Sequence, residues 1–194
     1  MKKTIINVVL ALAIIGVAYL LYQSIREPID FEAAKAKRQI AVIQKLKKIR
    51  VAQDVYRSVT STFAPNFDTL EYVLKNGKVA VYKVNGDPDD PTNVDAFTID
   101  TSYYNAIDTI VAMGINVDSL RYVPYSNNAV FEIYADTISY QKTTVSVVEV
   151  GVKKKKFMGM YADPKYSRYD SRYNPEDMVK FGSRTEPNTA GNWE

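Results

Sequence analysis

The chain has 194 residues, with 25 Lys/Arg, 22 Asp/Glu, no Cys and no His, and 46% of it is hydrophobic. That length fits one modest domain, or one domain plus an anchor, and the two zero counts exclude thiolate nucleophiles, His-dependent triads, disulfide frameworks and Cys/His zinc or copper sites. The net charge of +3 hides a division: residues 1–60 hold 11 Lys/Arg against 4 Asp/Glu, and residues 61–194 hold 14 against 18.

From Ile5 to Tyr22 the chain reads IINVVLALAIIGVAYLLY, with Asn7 as the only clearly polar residue. At ~1.5 Å per residue this run makes a helix roughly 27 Å long, close to the ~30 Å hydrocarbon core of a bilayer. Ile5, Val8, Val9, Leu10, Leu12, Ile14, Ile15, Val17, Leu20 and Leu21 are the predicted lipid contacts. Lys2 and Lys3 precede the span, and Tyr19 and Tyr22 stand where an interfacial aromatic belt forms. A signal peptide shares the charged start, but the run exceeds an h-region of ~7–15 residues and no small-x-small cleavage site follows it. The expectation is an uncleaved single-pass anchor. Arg26, Lys35, Lys37 and Arg38 lie near the other end of the span, but the basic N-terminus favours a cytoplasmic N-terminus, and the expectation is a soluble part outside the cytoplasm.

After Pro28, a potential kink, residues 31–59 contain neither Gly nor Pro. Ile40, Ile43, Leu46, Ile49, Ala52, Tyr56 and Val59 recur at threes and fours, which predicts an amphipathic helix. Of these, Ile40, Ile43, Leu46 and Ile49 are the predicted helix-packing residues. Lys45, Lys47, Lys48, Arg50 and Arg57 cover much of the remaining circumference. That basic face reads either as solvated charge or as a contact for anionic lipid head groups. Nucleic acid is not an expected partner, because no base-stacking aromatics are interleaved with the cations.

Beyond residue 60, Asp68-Thr69-Leu70-Glu71 reads as an N-cap with its capping box, opening a helix over 69–75 that Gly77 stops. Lys78–Val84 reads as a strand, Asp87–Asn93 as a loop, and a helix is expected from Thr101 or Ser102 to Met113, stopped by Gly114. Arg121–Tyr125 and Val130–Tyr134 predict a hairpin around Ser126-Asn127-Asn128, with Pro124 marking an edge or bulge. Val145–Val152 is the strongest strand pattern. Asn174-Pro175-Glu176-Asp177 is a helix-start signature with Gly182 as its stop, and residues 188–194 read as loosely held. The sum is an α+β chain in four parts. Residues 1–27 are tail and transmembrane anchor, and 28–60 a basic amphipathic helix. Residues 61–162 form an α+β domain on a small antiparallel sheet, and 163–194 a Tyr-rich polar segment.

Chemistry-bearing patterns are few. Ser139-Tyr140-Gln141-Lys142 matches S-x-x-K, but its surroundings read as strand and turn, and the accessory motifs of Ser/Lys acylases are missing. Asp87, Asp89, Asp90 and Asp95 do not follow a calcium-loop spacing and read as a solvated acidic loop. Neither G-x-x-x-x-G-K nor G-x-G-x-x-G occurs. Lys153–Lys156 reads as a gatekeeper at a strand end, or as a docking patch for an acidic partner. Tyr166, Tyr169 and Tyr173, with Arg168 and Arg172 between them, form a candidate partner surface, and packing of the tail onto the domain explains them equally well. No catalytic constellation, cofactor site or metal site is predicted.

The amphipathic helix, the small loop and the F-D-x-L opening of a short helix within residues 49–78 (IRVAQDVYRSVTSTFAPNFDTLEYVLKNGK) resemble type IV pilins and type II secretion pseudopilins. The resemblance implies a membrane-embedded helix that continues into the soluble part, packs on an antiparallel sheet and bundles with other subunits. No acid lies within Ile5–Tyr22, where that family carries a Glu. Residues 49–78, Ser119–Pro124 and the ending Ala190–Glu194 are also similar to an uncharacterised family of single-pass membrane-anchored proteins of Gram-negative anaerobes. Together these likenesses imply an inner-membrane protein with a periplasmic domain, acting in a cell-envelope assembly through protein subunits or self-association. The alternative expectation is a membrane-tethered ligand- or lipid-binding module.

Overall fold

A computed structural model describes residues 2–85 and 98–194, so the acidic loop with Asp87, Asp89, Asp90 and Asp95 lies outside the described residues. One helix, α1 (Lys2–Thr60), contains both the apolar span and the basic amphipathic segment, and it runs through Pro28 without a break. No Gly lies between Gly16 and Gly77 to interrupt it. It ends where Ser61 turns left-handed at φ 65° and donates its N–H to the Arg57 carbonyl at 2.8 Å.

The face that α1 buries overlaps the predicted one without coinciding with it. Phe31, Val42, Leu46, Ile49, Ala52, Gln53 and Tyr56 are buried, Ile43 packs partly against the core, and Ile40 is 56% exposed. Phe31, Lys35, Arg38, Val42, Leu46, Ile49, Gln53 and Tyr56 are spaced at about 3.6 residues, one line along an α-helix. The run Ile40–Ile43–Leu46–Ile49 advances by threes and so drifts around the helix. Its upper half, Leu46 and Ile49, is spent inside the chain's own core.

The next helix, α2 (Phe67–Asn76), starts earlier than expected. Asn66, not Asp68, is its N-cap, accepting from the Thr69 N–H at 2.8 Å, and Gly77 closes it as predicted. Strands β1 (Lys78–Asn85) and β2 (Thr98–Asn105) form a two-stranded antiparallel ribbon. Helix α3 (Ala106–Ala112) follows directly, so the expected 101–113 helix is a strand over its first residues. The second sheet has the order β3-β4-β5, with β3 (Glu132–Tyr140), β4 (Thr143–Lys153) and β5 (Met178–Gly182), all antiparallel. The β3–β4 hairpin turns through Gln141 and Lys142, both at positive φ, which puts Ser139 on a strand and Lys142 at a turn tip rather than on one helix face.

Two further expectations are corrected. The predicted 121–134 hairpin is reduced to one bridge, Tyr122 to Val130, and its second arm enters β3 only at Glu132. Asn174–Asp177 makes a turn, with Asn174 Oδ1 accepting from the Glu176 N–H at 3.0 Å, and leads into β5 instead of a helix. Strand β5 wins because Val179 and Phe181 alternate into the core beside β4. At its end Gly182 holds φ 81°, where a Cβ would collide with the Val148 carbonyl oxygen. The C-terminal segment is fastened, not loose. Gly191 bridges to Phe181, Asn192 Nδ2 donates to the Met178 carbonyl at 2.8 Å, and Glu194 pairs with Arg50 at 2.8 Å.

Gln53 is a fully buried polar group of α1. Its Oε1 accepts from the Ala64 N–H at 2.9 Å and its Nε2 donates to the Ala64 carbonyl at 3.2 Å. This clasp satisfies both backbone groups of Ala64, in the loop that leaves α1. Gln53→Leu should therefore lower stability by about 2–4 kcal/mol, the cost of two buried unpaired groups. Chemical denaturation measures it, with Lys47→Gln as a surface control expected within about 0.5 kcal/mol of the parent.

Candidate functional site at the foot of the domain

Phe31 is the first buried residue of α1 after the apolar span, and residues 157–173 wrap around it as a strap. The Tyr166 ring stacks on Phe31 at 5.3 Å and 10°, while Tyr173 and Tyr161 meet it edge-on at 5.0 Å and 5.8 Å. Tyr169 lies at 6.2 Å, tilted. Four rings around one give offset and edge contacts, each worth about 0.5–1.5 kcal/mol beyond area burial. The strap is built from short 3-10 turns, Gly159–Tyr161 and Pro164–Arg168, the second capped by Asp163 accepting from the Lys165 N–H at 2.8 Å.

Polar contacts fix the strap to α1. Lys35 Nζ reaches Asp170 Oδ2 at 2.8 Å and sits 5.4 Å from the Phe31 ring centre. Glu27 accepts from Tyr169 Oη at 2.7 Å and from Arg168 Nη2 at 2.9 Å. Arg38 Nη1 donates to the Phe157 carbonyl at 2.9 Å. Inside the strap, Tyr173 Oη donates to the Tyr161 carbonyl at 2.6 Å. Burial pushes the Tyr173 phenol up to about 12. The Lys35 ammonium, and after it the Arg172 N–H, hold the Asp170 carboxyl below its usual range. For Lys35, desolvation acts downward, but the hydrogen bonds to Asp170 and Glu32 outweigh it and leave its pKa raised.

Below the strap an open-sided cleft of about 530 Å³ lies between α1 and the domain. Its walls include Tyr19, Tyr22, Arg26 and Asp30 from the helix, and Met160 and Tyr161 from the strap. Arg26 donates to Tyr22 Oη at 2.6 Å and pairs with Asp30 at 3.3 Å. Met160 is 74% exposed. Aromatic hydroxyls, one guanidinium and carboxylates surround an apolar floor, a composition suited to a boundary between oil and water.

The structure distributes the predicted site residues as follows. The ten predicted anchor residues, Ile5 to Leu21, are all 53–65% exposed, and α1 is the one helix among the described residues long and apolar enough to cross a membrane by length and composition. Tyr166 and Tyr173 are buried against Phe31, Tyr169 is half-buried, Arg168 is bound to Glu27, and Arg172 stands exposed. The Tyr/Arg segment is therefore mainly an internal strap, and its rings are not free for a partner. Lys153 and Lys155 pair with Glu176 at 3.0 Å and 2.5 Å, and Lys154 with Asp177 at 3.0 Å, so three cations of the Lys153–Lys156 run face their own chain. Among the described residues no cluster of three or more carboxylates could hold a metal ion. Sequence reasoning missed Phe31, whose only local signal is its place on the 3.6-residue line through Lys35, Arg38 and Val42.

No protein-family model, curated protein or solved structure matches this chain.

Phe31→Ala should cost about 3–5 kcal/mol and free the strap, read as new proteolytic cuts within 157–173. The pH response of the strap has a definite sign. A carboxyl held below its unfolded value of ~3.9 stabilises above that pH, and the gain is lost as pH falls through the folded value. Asp170→Asn should therefore lower stability near neutrality and flatten its acid limb below about pH 4, measured by denaturation across pH.

Proposed function

We propose that the chain is a membrane-anchored structural or accessory subunit of a cell-envelope assembly, pilin-like in build, and that it carries no catalysis. Residues 5–22 cross the inner membrane, and the domain stands in the periplasm with its strap at the bilayer surface. The assembly contacts, to other subunits or to further copies, are made by surfaces the domain leaves uncovered.

The observation that carries this reading is the β1–β2 ribbon. Tyr82 and Tyr103 are each 67% exposed, and the register Ala80–Tyr103 and Tyr82–Thr101 places them diagonally on one face together with Ile99. Val81 and Tyr104 are exposed on the other face. Gly77, at the base of the ribbon, packs against Val59 near the C-terminal end of α1. From Tyr22 to Val59 the helix extends roughly 55 Å. An anchor at one end of a rod and uncovered aromatics at the other suit a subunit that reaches partners away from the bilayer. Leu46 cannot report on self-association, because it is buried in the chain's own core and a charge there would unfold the domain.

The test uses the full chain in native membranes, with a photo-crosslinking residue at Tyr82 or Tyr103 and, as a control, at Tyr125. Discrete higher-mass adducts are expected at the two ribbon positions and not at the control. Monomer alone at both ribbon positions would overturn the assembly role. A fused reporter at Glu194 that is active only in the cytoplasm would overturn the orientation, and recovery of the chain in the soluble fraction would overturn the anchor.

A further inference from the structure

Lys45 and Lys48 lie one turn apart on α1 and turn toward the same loop, residues 114–124. Lys45 Nζ donates to Ser119 Oγ at 3.1 Å, and Lys48 Nζ donates to the Gly114 carbonyl at 3.1 Å. Neither has a carboxylate partner among the described residues. Elsewhere on the domain, several cations drawn toward the chain meet carboxylates: Lys35 meets Asp170, Arg50 meets Glu194, Arg121 meets Glu71 and Lys180 meets Glu149. Here two ammonium groups one turn apart are held over one loop by neutral oxygens alone.

Between them lies a pocket of about 220 Å³, lined by Gln44, Lys45, Lys48, Asn116 and Ser119 with Leu120 and Pro124. Asn116 Oδ1 is occupied by the Ser119 N–H at 3.3 Å, which leaves its Nδ2 to donate. The Ser119 hydroxyl gives its proton to the Asn116 carbonyl at 3.1 Å. The polar lining thus offers two ammonium groups and carboxamide N–H donors, with no anion on its wall. Desolvation, and then repulsion from Lys48, lower the pKa of Lys45, and an anion placed here would favour its charged form.

We propose that this pocket binds a phosphate-type oxyanion, held by Lys45 Nζ and Lys48 Nζ and oriented by the Asn116 and Gln44 carboxamides. Lysines bind such ions as point charges, and two of them with neutral donors meet several faces of a tetrahedral oxyanion. The pocket is smaller than the ~300–1,000 Å³ of sites for drug-sized ligands, which suits the ion itself rather than a nucleotide. Lys45 stands about 35 Å along the helix from Tyr22, too far for a phospholipid of the anchoring bilayer. The source is therefore free phosphate in solution. The site lies wholly on the soluble part and does not depend on the assembly role.

The test is isothermal titration of the full chain in non-ionic detergent with sodium phosphate, at ionic strength held constant with sodium chloride. Saturable binding at one site is expected. Lys45→Met and Lys48→Met should each weaken it about 10-fold, the weight of one charge-assisted hydrogen bond, while the neighbouring Lys47→Met binds as the parent. A parallel melting curve should rise with phosphate for the parent and not for Lys48→Met. If Lys45→Met fails to fold by circular dichroism, the exposed Lys48→Met decides alone. Absence of saturable binding to the folded parent overturns the site, as does equal binding by the parent and Lys48→Met.

Discussion

From Phe31 to Tyr56 one line of α1 is withdrawn from water, and the rest of the domain is arranged to withdraw it. Helix α2 and strand β5 contribute Leu70, Leu74, Val179 and Phe181 to the same core, and the strap contributes Phe157, Met158, Tyr166 and Tyr173. A helix with apolar residues on one side is unstable alone in water, so its stability comes from these partners. The same helix presents a second solution nine residues earlier. Over Ile5–Tyr22 it is apolar all round and no part of the domain covers it. One element thus has two different requirements for its surroundings, and the change falls between Tyr22 and Phe31.

The polar anchoring of the strap begins in that interval, at Glu27, and continues up the helix to Lys35 and Arg38. Glu27, Lys35 and Arg38 each bond to a group 119 to 142 residues away in sequence. Such ion pairs contribute modestly where water reaches them, and their value here lies in geometry. They fix which way the Tyr rings face, and the rings then exclude water from Phe31. The tyrosines that looked like a partner surface are explained by this local need: four amphipathic rings each place an apolar face inward and keep the hydroxyl near a polar neighbour or solvent.

The parts of this fold readable from sequence are those encoded locally. The 18-residue apolar run, Gly77 as a stop and the Val-rich run of β4 need no distant partner to be recognised. The readings that failed did so where distant pairing overrode local preference. Thr101–Asn105 stands directly before the helical stripe of Ile107, Ile110 and Val111 and reads as its first turn, whereas pairing with β1 draws it into β2, where Thr101, Tyr103 and Tyr104 suit a strand. Asn174-Pro175-Glu176 is as good a turn as a helix start, and β4 beside it settles the matter in favour of β5. On α1 the error was one of weighting. Ile40 and Ile43 are more apolar than Lys35 and Arg38, yet the long basic side chains lie on the buried line because their stems pack while their charged ends reach Asp170 and Phe157. Phe31 had only its place on that line to mark it, since the rings that cage it come some 130 residues later.

The β1–β2 ribbon extends the argument about exposed surface. A lone two-stranded ribbon is marginal in water, and this one buries neither face on the domain core. What holds it is its base, where the Ala106 N–H donates to the Gly77 carbonyl at 2.9 Å and Gly77 sits so close to Val73 and Val59 that a side chain would not fit. Clamped at its root, the ribbon keeps Tyr82, Ile99, Tyr103 and Tyr104 in water at a standing cost that internal packing does not offset. The Tyr residues of the strap show that this chain buries aromatic rings where stability requires it. The ribbon tyrosines do not serve that need, and a surface of this kind is stabilised when a partner covers it.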